Sequence, residues 1–153
     1  MTHSNTEATA KVDADLQRDA IVVFHGVGGR HPLDPYLRAG FKHVFIAVVS
    51  GSHWIILDGY RGVPHAQVIA SSDFDLGKFY ASQPGMTAVR YPRRVTPEAK
   101  WPLALSNCVG MVKTLLGVNA PLAFTPWQLY MRLRANGAVP CVSAKSAKES
   151  EVD

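Results

Sequence analysis

The sequence predicts an α+β domain: an antiparallel sheet of about four strands packed against two helices. Three observations carry that expectation. Short apolar runs rich in β-branched and aromatic residues occupy the stretch from Ala20 to Tyr91. A Ser50-Gly51-Ser52 turn joins two of them into a hairpin. Both patterns with helical spacing come later, one opening at Cys108 and one after Thr125. Strands first and helices afterwards is the order of an α+β domain, not the alternation of a parallel sheet. The length of 153 residues suits one domain with a sizeable core. Hydrophobic residues at 47% against 18% charged place the chain among globular proteins.

Taken in order, residues 1–18 are polar and are expected to be disordered, as is the tail 143–153 (SAKSAKESEVD), leaving a single domain over 19–142. Ala20–His25 (AIVVFH) is a strand ended by Gly26-Val27-Gly28-Gly29. The following loop has one helical turn near Tyr36–Ala39. His43–Val49 (HVFIAVV) and His53–Leu57 (HWIIL) form the hairpin. Both arms are apolar on both faces, so the hairpin is expected inside a covered sheet. Asp58 to Gly62 turns the chain, and Pro64–Ala70 returns as a strand. Phe74–Tyr80 reads as a short helix, Met86–Tyr91 as a strand, and the proline-punctuated stretch 92–102 as loop.

Cys108–Leu116 places apolar residues at 109, 112, 115 and 116, which is helical spacing, with Ser106 or Asn107 as cap and Gly117 as stop. The last helix is the best delimited. Thr125 caps it, Pro126 fits its first position, Gln128 completes a capping box, and Gly137 ends it near Asn136.

Bulk chemistry narrows the function classes. A net charge of +4 is mildly basic, and the ordinary reading is a solvated basic surface. No aromatic-plus-basic motif speaks for nucleic acid. No apolar run approaches a membrane span, and residues 1–18 lack a signal pattern. A cytoplasmic location follows as the expectation. Two cysteines, Cys108 and Cys141, make no disulfide framework and read as free thiols.

The chemistry centres on Asn107-Cys108 in front of a helix. A thiol there feels the positive end of the helix dipole, which favours thiolate, and first-turn N–H groups can bind an oxyanion. The base is His43 or His53. A hairpin centred near Gly51 brings position 43 opposite 58–60, so His43 and Asp58 come within reach at its open end. His53 and Asp58 lie about 17 Å apart along one strand. His43 with Asp58 is therefore favoured, with His65 or Gln67 as a substitute orienter. Asn107 and Trp54 are candidate oxyanion or cleft residues. A lone cysteine at a helix start is also often plain core. His25, His31, His43, His53, His65, Cys108 and Cys141 could hold a metal, but no pair has zinc-finger spacing, so no metal and no cofactor is expected.

His43 in FKHVFIAV, its hairpin partner strand, and Asn107-Cys108 opening a helix resemble the permuted branch of papain-like NlpC-type peptidases, over residues 41–117. Lecithin:retinol acyltransferase relatives carry a similar Asn-Cys. That resemblance implies a permuted papain-like fold, with the histidine strands before the cysteine helix. It also implies cleavage of peptide or isopeptide bonds, or acyl transfer, on a peptide or acyl substrate. Relatives commonly have His-Val-Gly-Ile where this chain has His43-Val44-Phe45-Ile46, and the larger Phe45 bears on substrate access. The stretch LLGVNAPLAFTPWQLYMRL is similar to small proteins of tailed bacteriophages, which implies a virion-associated location as the alternative to a cytoplasmic one.

A rival resemblance, His53-Trp54 to adenovirus-type and ubiquitin-like-protein proteases, lacks their glutamine before the cysteine; Trp101 and Pro102 stand in that region. VVFHGVGG resembles the oxyanion loop of α/β-hydrolases, but no Gly-x-Ser-x-Gly follows.

Two functions therefore stand. The first is a cysteine-nucleophile amidase, peptidase or acyltransferase using Cys108, His43 and Asp58. The second is a catalytically silent papain-like module in which the basic residues near 90–100 dock a virion or assembly partner.

Overall fold

The computed structural model describes residues 18–27, 32–59, 63–94 and 107–142. The two ends expected to be disordered, apart from Arg18, lie outside the described residues, as do Gly28-Gly29, 60–62 and the loop 95–102.

The architecture is α+β, with a six-stranded sheet in the order β4-β3-β2-β1-β5-β6. The strands are β1 (Asp19–His25), β2 (His43–Ser50), β3 (His53–Asp58), β4 (His65–Ser71), β5 (Met86–Pro92) and β6 (Val139–Pro140). Every neighbouring pair is antiparallel. The expected count of about four strands is corrected to six. All five apolar runs join one sheet, and Val139–Pro140 adds a two-residue strand that pairs with Val89 and Arg90. A segment so short, and half proline, leaves no period-2 signal to read.

Among the described residues three α-helices cover the sheet: α1 (Leu76–Ala81), α2 (Cys108–Leu116) and α3 (Pro126–Ala135). Strand alternation divides the core in two. Ala20, Val22, Phe24, Val44, Ile46 and Val48 meet Val109, Val112 and Leu116 of α2 and Leu129 and Leu133 of α3. Ile21, Val23, Phe45, Ala47 and Val49 meet Leu76 of α1. Residues 20–24 and 44–49 are buried on both sides, as the doubly apolar pattern predicts. The edge strand β4 stays largely exposed.

Local signals set the boundaries. Gly51, at φ 59°, opens the two-residue turn between the paired Ser50 and His53. The 3₁₀ turn falls at Asp34–Tyr36, where Pro35 pre-sets φ, rather than at Tyr36–Ala39. Asp75 caps α1 by accepting from Lys78 N at 3.1 Å, which moves the helix start from the expected Phe74 to Leu76. The Thr125–Gln128 capping box forms as expected. Phe41, Trp127 and Tyr130 stack in one aromatic cluster beside Phe24, pinning α3 to the sheet. Arg38 lies over the Trp127 ring at 3.6 Å.

Arg93 is not the docking residue that the second function requires. It is buried, and its Nε donates to Leu115 O at 3.0 Å, satisfying a carbonyl in the last turn of α2. The Arg94 amide donates to Leu116 O at 3.0 Å. The segment after β5 therefore anchors the far end of the cysteine helix. No helix among the described residues is long and apolar enough to cross a membrane.

Gly77 gives a stability test. Helix-interior Gly→Ala normally stabilises by up to ~1 kcal/mol. Here an added Cβ would stand 2.7 Å from Cys141 Sγ and 3.3 Å from both Cys141 Cβ and Ile21 Cδ1. Gly77→Ala is expected to destabilise by about 1–3 kcal/mol, as overpacking does. Urea unfolding checks this, and Cys141→Ala in the same chain should recover most of the loss.

Candidate functional site

The site forms where three strand ends meet the start of α2. In the β2–β3 ladder Ile46 pairs with Leu57. Extending that register puts Asp58 across from Phe45, a diagonal neighbour of His43 on the same face. The two side chains meet: His43 Nε2 lies 2.6 Å from Asp58 Oδ1, with side-chain exposures of 12% and 23%. The reach expected at the open end of the hairpin is realised without a bulge.

Cys108 arrives from the other half of the chain as the first residue of α2. Asn107, extended at φ −153°, caps the helix by accepting from Gly110 N at 2.8 Å. Gly117, in the left-handed conformation, closes it. The first intrahelical bond runs from Met111 N to Asn107 O, so the N–H groups of Cys108 and Val109 precede the ladder. Gly59 brings the end of β3 against this start; a Cβ there would be 3.5 Å from Cys108 Cα.

The half-buried Cys108 stands near enough to His43 to act on its imidazole. Burial works against a charged His43. The hydrogen bond to Asp58, and after it the neighbouring Cys108, outweigh burial and raise the imidazole to about 9.

A second histidine joins the group. His25 ends β1 directly across from His43, with ring centroids 5.0 Å apart. Burial lowers its pKa, the neighbouring His43 charge lowers it further, and Asp58 partly offsets both. The sequence alone places His25 among possible metal ligands and in the VVFHGVGG stretch, not beside His43. The missed signal was positional. His25 closes one strand and His43 opens the next, and direct antiparallel pairing sets such residues opposite each other.

The remaining candidates are not all gathered here. His53 is exposed at the turn end of the hairpin, its Nδ1 3.1 Å from Ser52 Oγ, about 17 Å along β3 from Asp58. As the alternative base it is corrected. Trp54, a candidate cleft residue, is buried in the layer under α1 and donates its indole N–H to Phe74 O at 3.0 Å. His65 is exposed and pairs with Asp58 across β3–β4; Gln67 pairs with Ile56. Asp58 itself holds the orienting position. The Asn107 side-chain oxygen is committed to the cap, so its contribution is to shape the helix start.

Phe45 packs edge-on against Tyr80 of α1 and lies 6.1 Å from the His25 ring. Cys141 is free and sits in the layer with α1, where burial pushes its thiol up and the Arg90 charge partly counters this. No group of three metal-ligating side chains occurs among the described residues. A groove of about 420 Å³ along α3, lined by Ala120, Leu122, Trp127 and Met131 among others, shares no residue with the site.

The cap makes a local prediction. Asn107→Ala is expected to lower stability by ~1 kcal/mol, with Asn107→Asp retaining it, as read from urea midpoints.

Comparisons with family models, with curated proteins and with solved structures give no match to this chain.

Proposed function

We propose that the chain is a cysteine-nucleophile amidase, peptidase or acyltransferase on a permuted papain-like scaffold, acting through a thioester. One observation carries the reading: His43 is hydrogen-bonded to Asp58 and is raised by both Asp58 and the neighbouring Cys108, whose sulfur stands at a capped helix start.

In this reading the imidazole holds the proton that leaves Cys108, and Asp58 stabilises the resulting imidazolium. The sulfur attacks a substrate carbonyl and the C=O π pair moves to oxygen. The Cys108 and Val109 N–H groups are placed to receive that charge. Collapse expels the amine, which takes the proton from His43, and leaves an acyl group on sulfur. Water, or a second acceptor in acyl transfer, then gives its proton to His43 and releases the thiol. Peptide and acyl substrates both satisfy this chemistry.

The test is acylation by p-nitrophenyl acetate. A stoichiometric burst of nitrophenolate with one acetyl group on Cys108, followed by its slow hydrolysis, supports the reading; Cys108→Ala should abolish the burst. Acetylation no faster at Cys108 than at Cys141 overturns it and favours a silent module with a virion or assembly partner.

A further inference from the structure

We propose that His25 is a positioning residue for the Cys108–His43 pair: its neutral ring holds the His43 ring in place, and protonation of His25 disables the pair at acidic pH. This rests on the reading of Cys108 as nucleophile and His43 as its base.

The argument starts from the ladder. His25, His43 and Asp58 stand at one end of three adjacent strands, β1, β2 and β3, with His43 in the middle. Asp58 fixes one side of the His43 imidazole through Nε2. Beside it stands the His25 ring, 5.0 Å away and tilted by 58°. An imidazolium tolerates a neutral aromatic neighbour at that distance, whereas two imidazolium rings directly across a strand pair repel. His43 is tied to Asp58, so His25 is the ring that must leave.

The surroundings offer His25 little compensation. On its β5 side the paired residue is Met86, which carries no charge. On its β2 side stand His43 and Phe45, and Phe45 in turn packs on Tyr80 of α1. Asp58 is the acidic group that acts on it, and Asp58 already serves His43. The Lys42 amide bonds the His25 carbonyl at 2.9 Å, which holds the backbone at this position. Burial and the His43 charge both keep His25 neutral down to lower pH than an ordinary histidine, which is the state this role needs.

The experiment follows alkylation of Cys108 by iodoacetamide from pH 4.5 to 8.5 on the full chain, read by mass spectrometry of the Cys108 peptide. Each protein is normalised to its own rate at about pH 8. The parent is expected to lose rate with two protons on the acid side, a logarithmic slope approaching 2. His25→Phe should show a slope near 1, and His25→Asn, also neutral, should behave like His25→Phe. In parallel, the NMR titration of the His25 ring should move up in His43→Asn, where the opposing charge is gone. Equal slopes in parent and both His25 variants, or an unmoved His25 titration, overturn the proposal while leaving the nucleophile reading intact. A parent rate that is insensitive to His43→Asn at every pH overturns both.

Discussion

Replacing His43 with alanine is expected to slow acetylation of Cys108 by p-nitrophenyl acetate about 100-fold or more at pH 7, the lower range for losing a positioned acid–base group. His43 is hydrogen-bonded to Asp58 and acted on by Cys108, so its removal takes the base away from both. The sulfur loses the cation that stabilises its charge, and Asp58 keeps a carboxylate with no imidazole to hold. That stranded carboxylate at 23% exposure also costs stability. The rate must therefore be read where urea unfolding shows the variant fully folded. Cys141 serves as the internal reference. It lies in the opposite layer with α1, so its acetylation should not change. Equal losses at both thiols would mean a general change in the protein rather than loss of a base.

Asp58→Asn is expected to have the second largest effect, visible in both rate and stability. Among the interactions that raise His43, the Asp58 hydrogen bond is the strongest, so the variant's imidazole should titrate well below 9. The sign for stability follows from linkage. His43 binds its proton more tightly folded than unfolded, so the contribution is fully present below the unfolded value of about 6.5. It is lost as pH rises through about 9. After allowance for partial exposure of the pair it amounts to about 2–3 kcal/mol. The parent should therefore lose that much unfolding free energy between pH 6.5 and 9.5. Asp58→Asn should lose far less over the same interval. Its acetylation rate at pH 7 should fall about 10- to 100-fold, because the imidazolium is no longer stabilised.

The parts of the molecule legible in the sequence were those set by local chemistry. Thr125-Pro126 and Gln128 fix the start of α3, and Asn107 and Gly117 bracket α2, because caps and helix stops depend on neighbours in the chain. The His43–Asp58 contact was legible for a similar reason. A tight turn at Gly51 fixes the β2–β3 register, and register fixes which side chains meet.

What was not legible depended on distant pairing. Nothing local says that β1 lies between β2 and β5, so His25 was not placed beside His43. Nothing in Val139–Pro140 announces a strand, because its partner β5 lies about fifty residues upstream. Trp54 carried an aromatic signal compatible with a cleft wall or a core. Only the packing of α1 over that face decides for the core. Arg93 read as part of a basic surface cluster, yet it is buried because the end of α2 needs a donor.

The central claim is that the Cys108 sulfur and the His43 imidazole form one coupled pair. Its most direct test is the NMR titration of the His43 ring in the parent and in Cys108→Ala. The account predicts a midpoint near 9 in the parent and a clear drop in the variant, since the sulfur supplies part of what raises it. A parent midpoint near 6.5, or one that Cys108→Ala leaves unchanged, would contradict it.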